Sequence, residues 1–394
     1  MALTRHAGTE REDLEIVRLQ DAARAASDSA PSLERLGWTF VAKARRSYDP
    51  GYYKLAEQTA LCLDSKRPDD PAGLLLRGHV LHQLHRFPEM EELARRLVAM
   101  RGEAFDHGLL GDALMEQGRL DEAVGPYQRM MDLKPGLQSY SRVAHLRWMK
   151  GDLGGAREVM AMAAQTGGSR DREAVAWAWS RLALFHLQAG AEAEALRAAD
   201  AALALREDYA PALLARGQIL LSRGSVAEAV TPLRRAAELN PLPEYQWALA
   251  EALAATGQAA QARPVEERLL REGAVSDPRT FAVYLATRGE QVETALQLAR
   301  EELQRRQDVF TLDALAWAQA AAGKTAEARA TMERALAHGT QDARLFYHAG
   351  VIADMAERPQ EARGWFEKAD AIAQMLLPSE RERVTERLAV APAA

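Results

Sequence analysis

Hydrophobic positions recur along this chain in pairs of amphipathic stretches, and the punctuation between the stretches recurs with them. A loop glycine is followed five residues later by alanine at Gly51 and Ala56, Gly118 and Ala123, Gly151 and Ala156, and Gly190 and Ala195. The same pairing holds for Gly224 and Ala229, Gly257 and Ala262, and Gly323 and Ala328. Gly289 pairs with Ala295 after one inserted residue, and weaker pairs, His85 with Met90 and Glu357 with Ala362, fill the same slots. The second members stand 33 or 34 residues apart, except for one step of 39 between Ala156 and Ala195. Self-similarity at such a period is the mark of a repeat array. Seven positions before each turn stands another small residue: Ala44, Gly78, Gly111, Ala144, Ala183, Gly217, Ala250, Ala282, Ala316 and Gly350.

This pattern predicts helical hairpins. Two antiparallel helices joined by a short turn approach closely only where the facing side chains are small. Glycine ends the first helix because it alone takes the left-handed conformation without steric cost. Large apolar residues fill the remaining space, as Leu110, Leu114, Leu120, Tyr127 and Met130 do in the third period. Pro135 and Pro241 are expected to close second helices, and Asp49-Pro50 to cap the start of one.

The segment GDALMEQGRLDEAVGPYQRMMDLKP, residues 111–135, resembles the consensus of the tetratricopeptide repeat (TPR), and residues 217–241 match it as well. The resemblance spans residues 32–376, about ten units, and points to bacterial TPR proteins. It implies an all-α, right-handed superhelix in which the first helix of each unit lines the concave side. TPR arrays act mostly as protein-interaction scaffolds. Residues 1–31 are then a tail with an N-terminal capping helix over 11–28, made apolar by Leu14, Ile16, Val17 and Leu19. Residues 377–394 are a C-terminal capping helix over 379–389 and a disordered tail. The insertion at residues 166–172 reads as a linker between units.

Groove-facing positions of the first helices follow from the resemblance and helical spacing. They are His79 and His82; Arg142, His145 and Trp148; and Trp177, Ser180, Arg181 and Leu184. Further along come Gln218, Trp247, Glu251, Trp317, Tyr347 and His348. Arg142 and Arg181 hold equivalent places in consecutive units, where two guanidinium groups suit a carboxylate or phosphate. The tryptophans add the flat apolar surface that interface hot spots use. The expected ligand is an extended, partly acidic peptide of a partner protein. Carboxylate-clamp TPR domains use groove asparagines, and this chain has a single asparagine, Asn240, at a helix end. That clamp is absent.

Composition narrows the picture further. A net charge of −6 and a pI near 5.9 argue against a nucleic-acid partner. Seven of the 50 basic residues are Lys, a usage expected of a GC-rich bacterial genome. Neither a secretory signal nor a membrane-crossing stretch is expected, so the cytoplasm is the default location. Cys62, the one cysteine, permits no internal disulfide, and its mid-helix place predicts a buried, inert thiol. His79, His82 and His85 lack the further donors a metal needs, so no metal site is assigned. No phosphate loop, dinucleotide fingerprint or nucleophile motif is present, and neither a cofactor nor an enzymatic activity is expected. Two functions remain: an adaptor that binds a peptide in its groove, or a structural subunit that meets a fixed partner over its convex face or ends.

Overall fold

The computed structural model of the chain describes residues 2–168 and 171–389, and among the described residues there are helices and turns but no strand. The array is an all-α solenoid. It parts into two units, Met1–Lys134 and Pro135–Ala394. The repeat period runs through that boundary without marking it.

The first unit contains α1 (Arg11–Ala25), α2 (Ala30–Ser47), α3 (Gly51–Lys66), α4 (Pro71–Gln83), α5 (Phe87–Met100), α6 (Ala104–Glu116) and α7 (Leu120–Leu133). Helices α2 and α3, α4 and α5, and α6 and α7 pack as hairpins, with α1 laid on α2. Ile16 and Leu19 of α1 meet Leu33, Leu36 and Phe40 of α2 in one core with Leu63, Leu76 and Val80. Leu14 stands off that core, 61% exposed. The residues ahead of α1 are tied down: the Gln20 amide donates to the Ala2 and Thr4 carbonyls, and buried Asp13 holds His6 and Lys43.

Local chemistry explains the turns. Gly118 ends α6 at φ +74°, as the left-handed position requires. His85 and Glu357 take the same geometry at φ +55° and +58° despite their Cβ atoms, a cost the glycine turns avoid. Gly51 differs from expectation. It opens α3, and Tyr48, at φ +56°, makes the left-handed turn instead. The small slots do what their size predicts: a Cβ on Gly111 would sit 2.3 Å from the Tyr127 ring of α7. Gly78 serves the next hairpin instead, since its Cβ would meet Leu109 of α6. Cys62 corrects the sequence reading, for it is exposed. The buried stripe of α3 runs through Ala56, Thr59, Ala60 and Leu63, and residue 62 lies off it.

The second unit begins with α8 (Leu137–Met149), α9 (Leu153–Thr166), α10 (Arg172–Gln188), α11 (Glu192–Leu205), α12 (Ala210–Ser222), α13 (Val226–Leu239) and α14 (Pro243–Ala255). It continues with α15 (Ala259–Ser276), α16 (Pro278–Arg288), α17 (Val292–Arg305), α18 (Val309–Ala321), α19 (Thr325–Leu336), α20 (Ala343–Met355) and α21 (Pro359–Asp370). A 3-10 turn (Ala373–Met375) and α22 (Pro378–Ala389) follow. Ser169 and Arg170 of the insertion, and the tail after Ala389, lie outside the described residues.

Successive first helices α8, α10, α12, α14, α16, α18 and α20 pack on one another, whereas second helices pack chiefly on first helices. First helices therefore form the inner layer of this unit. The inner layer closes on itself. Thr340, in the turn before α20, donates to the Met149 carbonyl of α8, and the Gln188 amide donates to the Gln341 carbonyl at 2.6 Å. Gly151 comes so near that a Cβ there would lie 2.5 Å from the Gly339 carbonyl oxygen.

Candidate functional site

Two arginines on the inner layer of residues 135–394 lie over tryptophan rings. At the first, the guanidinium carbon of Arg344, in the opening turn of α20, is 4.7 Å from the Trp247 ring of α14. Arg344 forks the Glu380 carboxylate of α22 with bonds of 2.6 and 3.1 Å, and the Leu377 backbone N–H donates to the same group. Glu380 is fully buried. Burial opposes its ionisation, but the Arg344 charge and these bonds hold its carboxyl below the ordinary 4.5. Glu251, one turn along from Trp247, accepts from the Trp247 indole and from both the backbone N–H and hydroxyl of Ser379.

At the second, the guanidinium carbon of Arg181 on α10 lies 5.4 Å from both the Trp148 and Phe185 rings. Phe310 of α18 stacks on Trp148 at 5.7 Å, and the Trp148 indole donates to Gln188. Among the described residues no carboxylate is in contact with Arg181. Its Nε lacks a hydrogen-bond partner, and Glu244 acts on it only through space. Burial pushes its pKa below the usual arginine value. A delocalised cation over apolar rings is well suited to receive a carboxylate.

The tetratricopeptide-repeat family model matches residues 75–137, 181–243, 214–277 and 314–374, together more than half of the chain. The chain belongs to the tetratricopeptide-repeat family. No curated protein matches its sequence. Among solved structures, a tetratricopeptide repeat protein from Parabacteroides merdae ATCC 43184 is 17% identical, with a TM-score of 0.36 over 64% of this chain and 98% of that one. The MamA protein is 16% identical, with a TM-score of 0.34 over 43% of this chain and 91% of that one. TPR repeats generally mediate protein–protein interaction, and their carriers are typically non-enzymatic scaffolds.

The TPR array distributes the residues picked from sequence unevenly. His145, Trp148 and Arg181 come together, with the His145 and Trp148 rings 5.5 Å apart. Trp247 and Glu251 join through their own hydrogen bond. Trp317 donates to Thr287 and stacks on wholly buried His348 at 4.1 Å, with Tyr347 beside them. His348 in turn meets Asp313 at 2.9 Å. Arg142 is drawn back along α8 to the Gln138 carbonyl. Trp177 packs half-buried against Ala176, Ala202, Tyr209 and Ala212, and Ser180 is buried. Gln218 keeps a buried Oε1 without a partner.

His79 and His82 belong to the first unit. There His79 tilts over Trp38 at 5.3 Å, and His82 lies 4.0 Å from Glu116. Among the described residues no group of three metal-ligating side chains converges, and no helix is long and apolar enough to cross a membrane.

Sequence reasoning missed Arg344, Ser379 and Glu380. Arg344 had a signal, because it stands six residues before the small position Gly350, as Trp177 stands before Ala183. Ser379 and Glu380 had none, since their helix lies outside the repeat period.

Proposed function

We propose that this chain is a protein-interaction scaffold whose inner layer, over residues 135–394, takes an extended acidic segment of a partner protein. The observation that carries the reading is the Arg181–Trp148 site, which repeats the Arg344–Trp247 arrangement but lacks its carboxylate. An acidic side chain entering there completes a charge-assisted contact on an aromatic floor. His145 borders the Trp148 ring. The reading includes a cytoplasmic, bacterial setting, drawn from the lone cysteine and the Arg-rich composition.

A panel of extended peptides carrying Asp and Glu, immobilised and offered to the wild-type chain and to the Arg142→Ala plus Arg181→Ala variant, tests it. Capture falls by about 10-fold or more in the variant, the scale of a lost charged contact. Unchanged capture removes the reading.

One observation favours the second reading, a structural subunit that meets its partner over the outer layer. Among the described residues, seven of the ten exposed large hydrophobics, Leu61, Met100, Val124, Leu133, Met162, Leu270 and Val275, lie on second helices. An assembly lost with Leu270→Glu plus Val275→Glu, yet kept by the arginine variant, would favour that role.

A further inference from the structure

We infer that α22 is a resident occupant of a helix-docking surface on the inner layer, and that a partner helix with a Ser-Glu first turn and an Arg three residues after the Glu takes its place. This deepens the scaffold reading and rests on it, since both treat the inner layer as the partner-binding face.

The surface is made by Glu251, Arg344, Tyr347 and the end carbonyls of two helices, Ser222 of α12 and Thr287 of α16. Each of these groups recognises polar chemistry at the start of a helix. Glu251 accepts the hydroxyl and N–H of Ser379, Arg344 forks Glu380, and the Thr287 carbonyl accepts from Arg383. Arg381 reaches the Ser222 carbonyl, and Arg387 pairs with Asp354. Within α22 Val384 alone of the apolar residues is buried, with Leu376 and Leu377 buried in the turn ahead of it, whereas α21 buries Ala362, Phe366 and Ala369.

An element held by apolar burial is part of the core. One held by ion pairs and backbone acceptors can be exchanged for another helix offering the same groups. A released helix of this length is not stable alone in water, so α22 melts on leaving and gains conformational entropy. The tether cuts the other way: an attached segment acts at an effective concentration in the millimolar range, so a free helix competes poorly until α22 is weakened.

The probe is a fluorescent peptide of residues 376–389, LLPSERERVTERLA. It binds the full-length Glu380→Gln chain about 100-fold more tightly than the wild type, because the variant's own helix no longer satisfies Arg344. The same peptide with Gln at the Glu position binds neither chain. Equal affinity of the LLPSERERVTERLA peptide for both chains, or no binding to either at millimolar concentration, overturns the inference.

Should the variant fold poorly, hydrogen exchange on the wild-type chain decides instead. Amides of α22 exchange about 10-fold faster than those of α20, and faster still as salt rises. Exchange of α22 in step with α20 at every salt concentration overturns it. Loss of helix exchange leaves capture of acidic peptides at Arg181 untouched, and loss of that capture leaves helix exchange untouched.

Discussion

At Trp247 the chain supplies a carboxylate to the arginine above the ring, and at Trp148 none of the described residues does. Both sites lie on first helices of residues 135–394, and both set a guanidinium about one ring's width over an indole. The difference is reach. Arg344 opens the helix nearest the chain's last elements, so Glu380 arrives on a helix that starts only a few residues beyond α21. Arg181 stands on α10, where the 3-10 turn arrives with Gln374 on the Gln188 carbonyl rather than with an acid. An arginine satisfied in cis admits another molecule only when its own helix leaves, and one left without its carboxylate is open to another molecule at once.

The largest test of that contrast is Arg344→Ala. It strands a fully buried carboxylate and costs about 3–5 kcal/mol in urea unfolding, while Arg181→Ala costs less than about 1 kcal/mol. Equal losses would break the comparison. Next comes Gly151→Ala, which places a Cβ at φ +81° and 2.5 Å from the Gly339 carbonyl. It lowers stability by about 1–3 kcal/mol and loosens the closure near Trp148. Faster exchange of the amides at 337–342 would report the loosening, and unchanged exchange would show that the closure does not depend on Gly151.

Acid tests the Trp247 site through Glu380. The Glu380 pKa is depressed in the folded chain, so its contribution is fully present above pH 4.5 and is lost as pH falls through the folded value. Docking of α22 therefore weakens below pH 4.5, by up to about 1.4 kcal/mol per pH unit. The change in Trp247 fluorescence should follow it, and Glu380→Gln should flatten that change. An unaltered acid response in Glu380→Gln would sink the assignment to Glu380.

The smallest effect is a gain. Glu357→Gly relieves the left-handed turn between α20 and α21 and raises stability by about 0.5–1 kcal/mol in thermal unfolding. It steadies the hairpin that holds Arg344 without touching Arg181.

The hairpins were legible because small side chains at helix contacts and glycine in left-handed turns are local demands, read directly from Gly111, Gly118 and their equivalents. The placing of Trp148 and Arg181 on successive first helices follows from helical spacing, and in the structure the Arg181 guanidinium lies over the Trp148 ring. The outward turn of Cys62 was not. Its neighbours on both sides are apolar, and one residue's shift along the stripe decides which faces water.

Sequence by itself determined the period, the hairpins and the family, because each repeat must bury one face against the next and can do so only with matched small and large residues. The tertiary structure alone decided that the inner layer of residues 135–394 closes through Thr340 and Gln188, and that a polar helix returns to lie across it. Contacts between residues more than a hundred positions apart leave no periodic trace, and ion pairs such as Arg344 with Glu380 form wherever packing happens to bring their charges together.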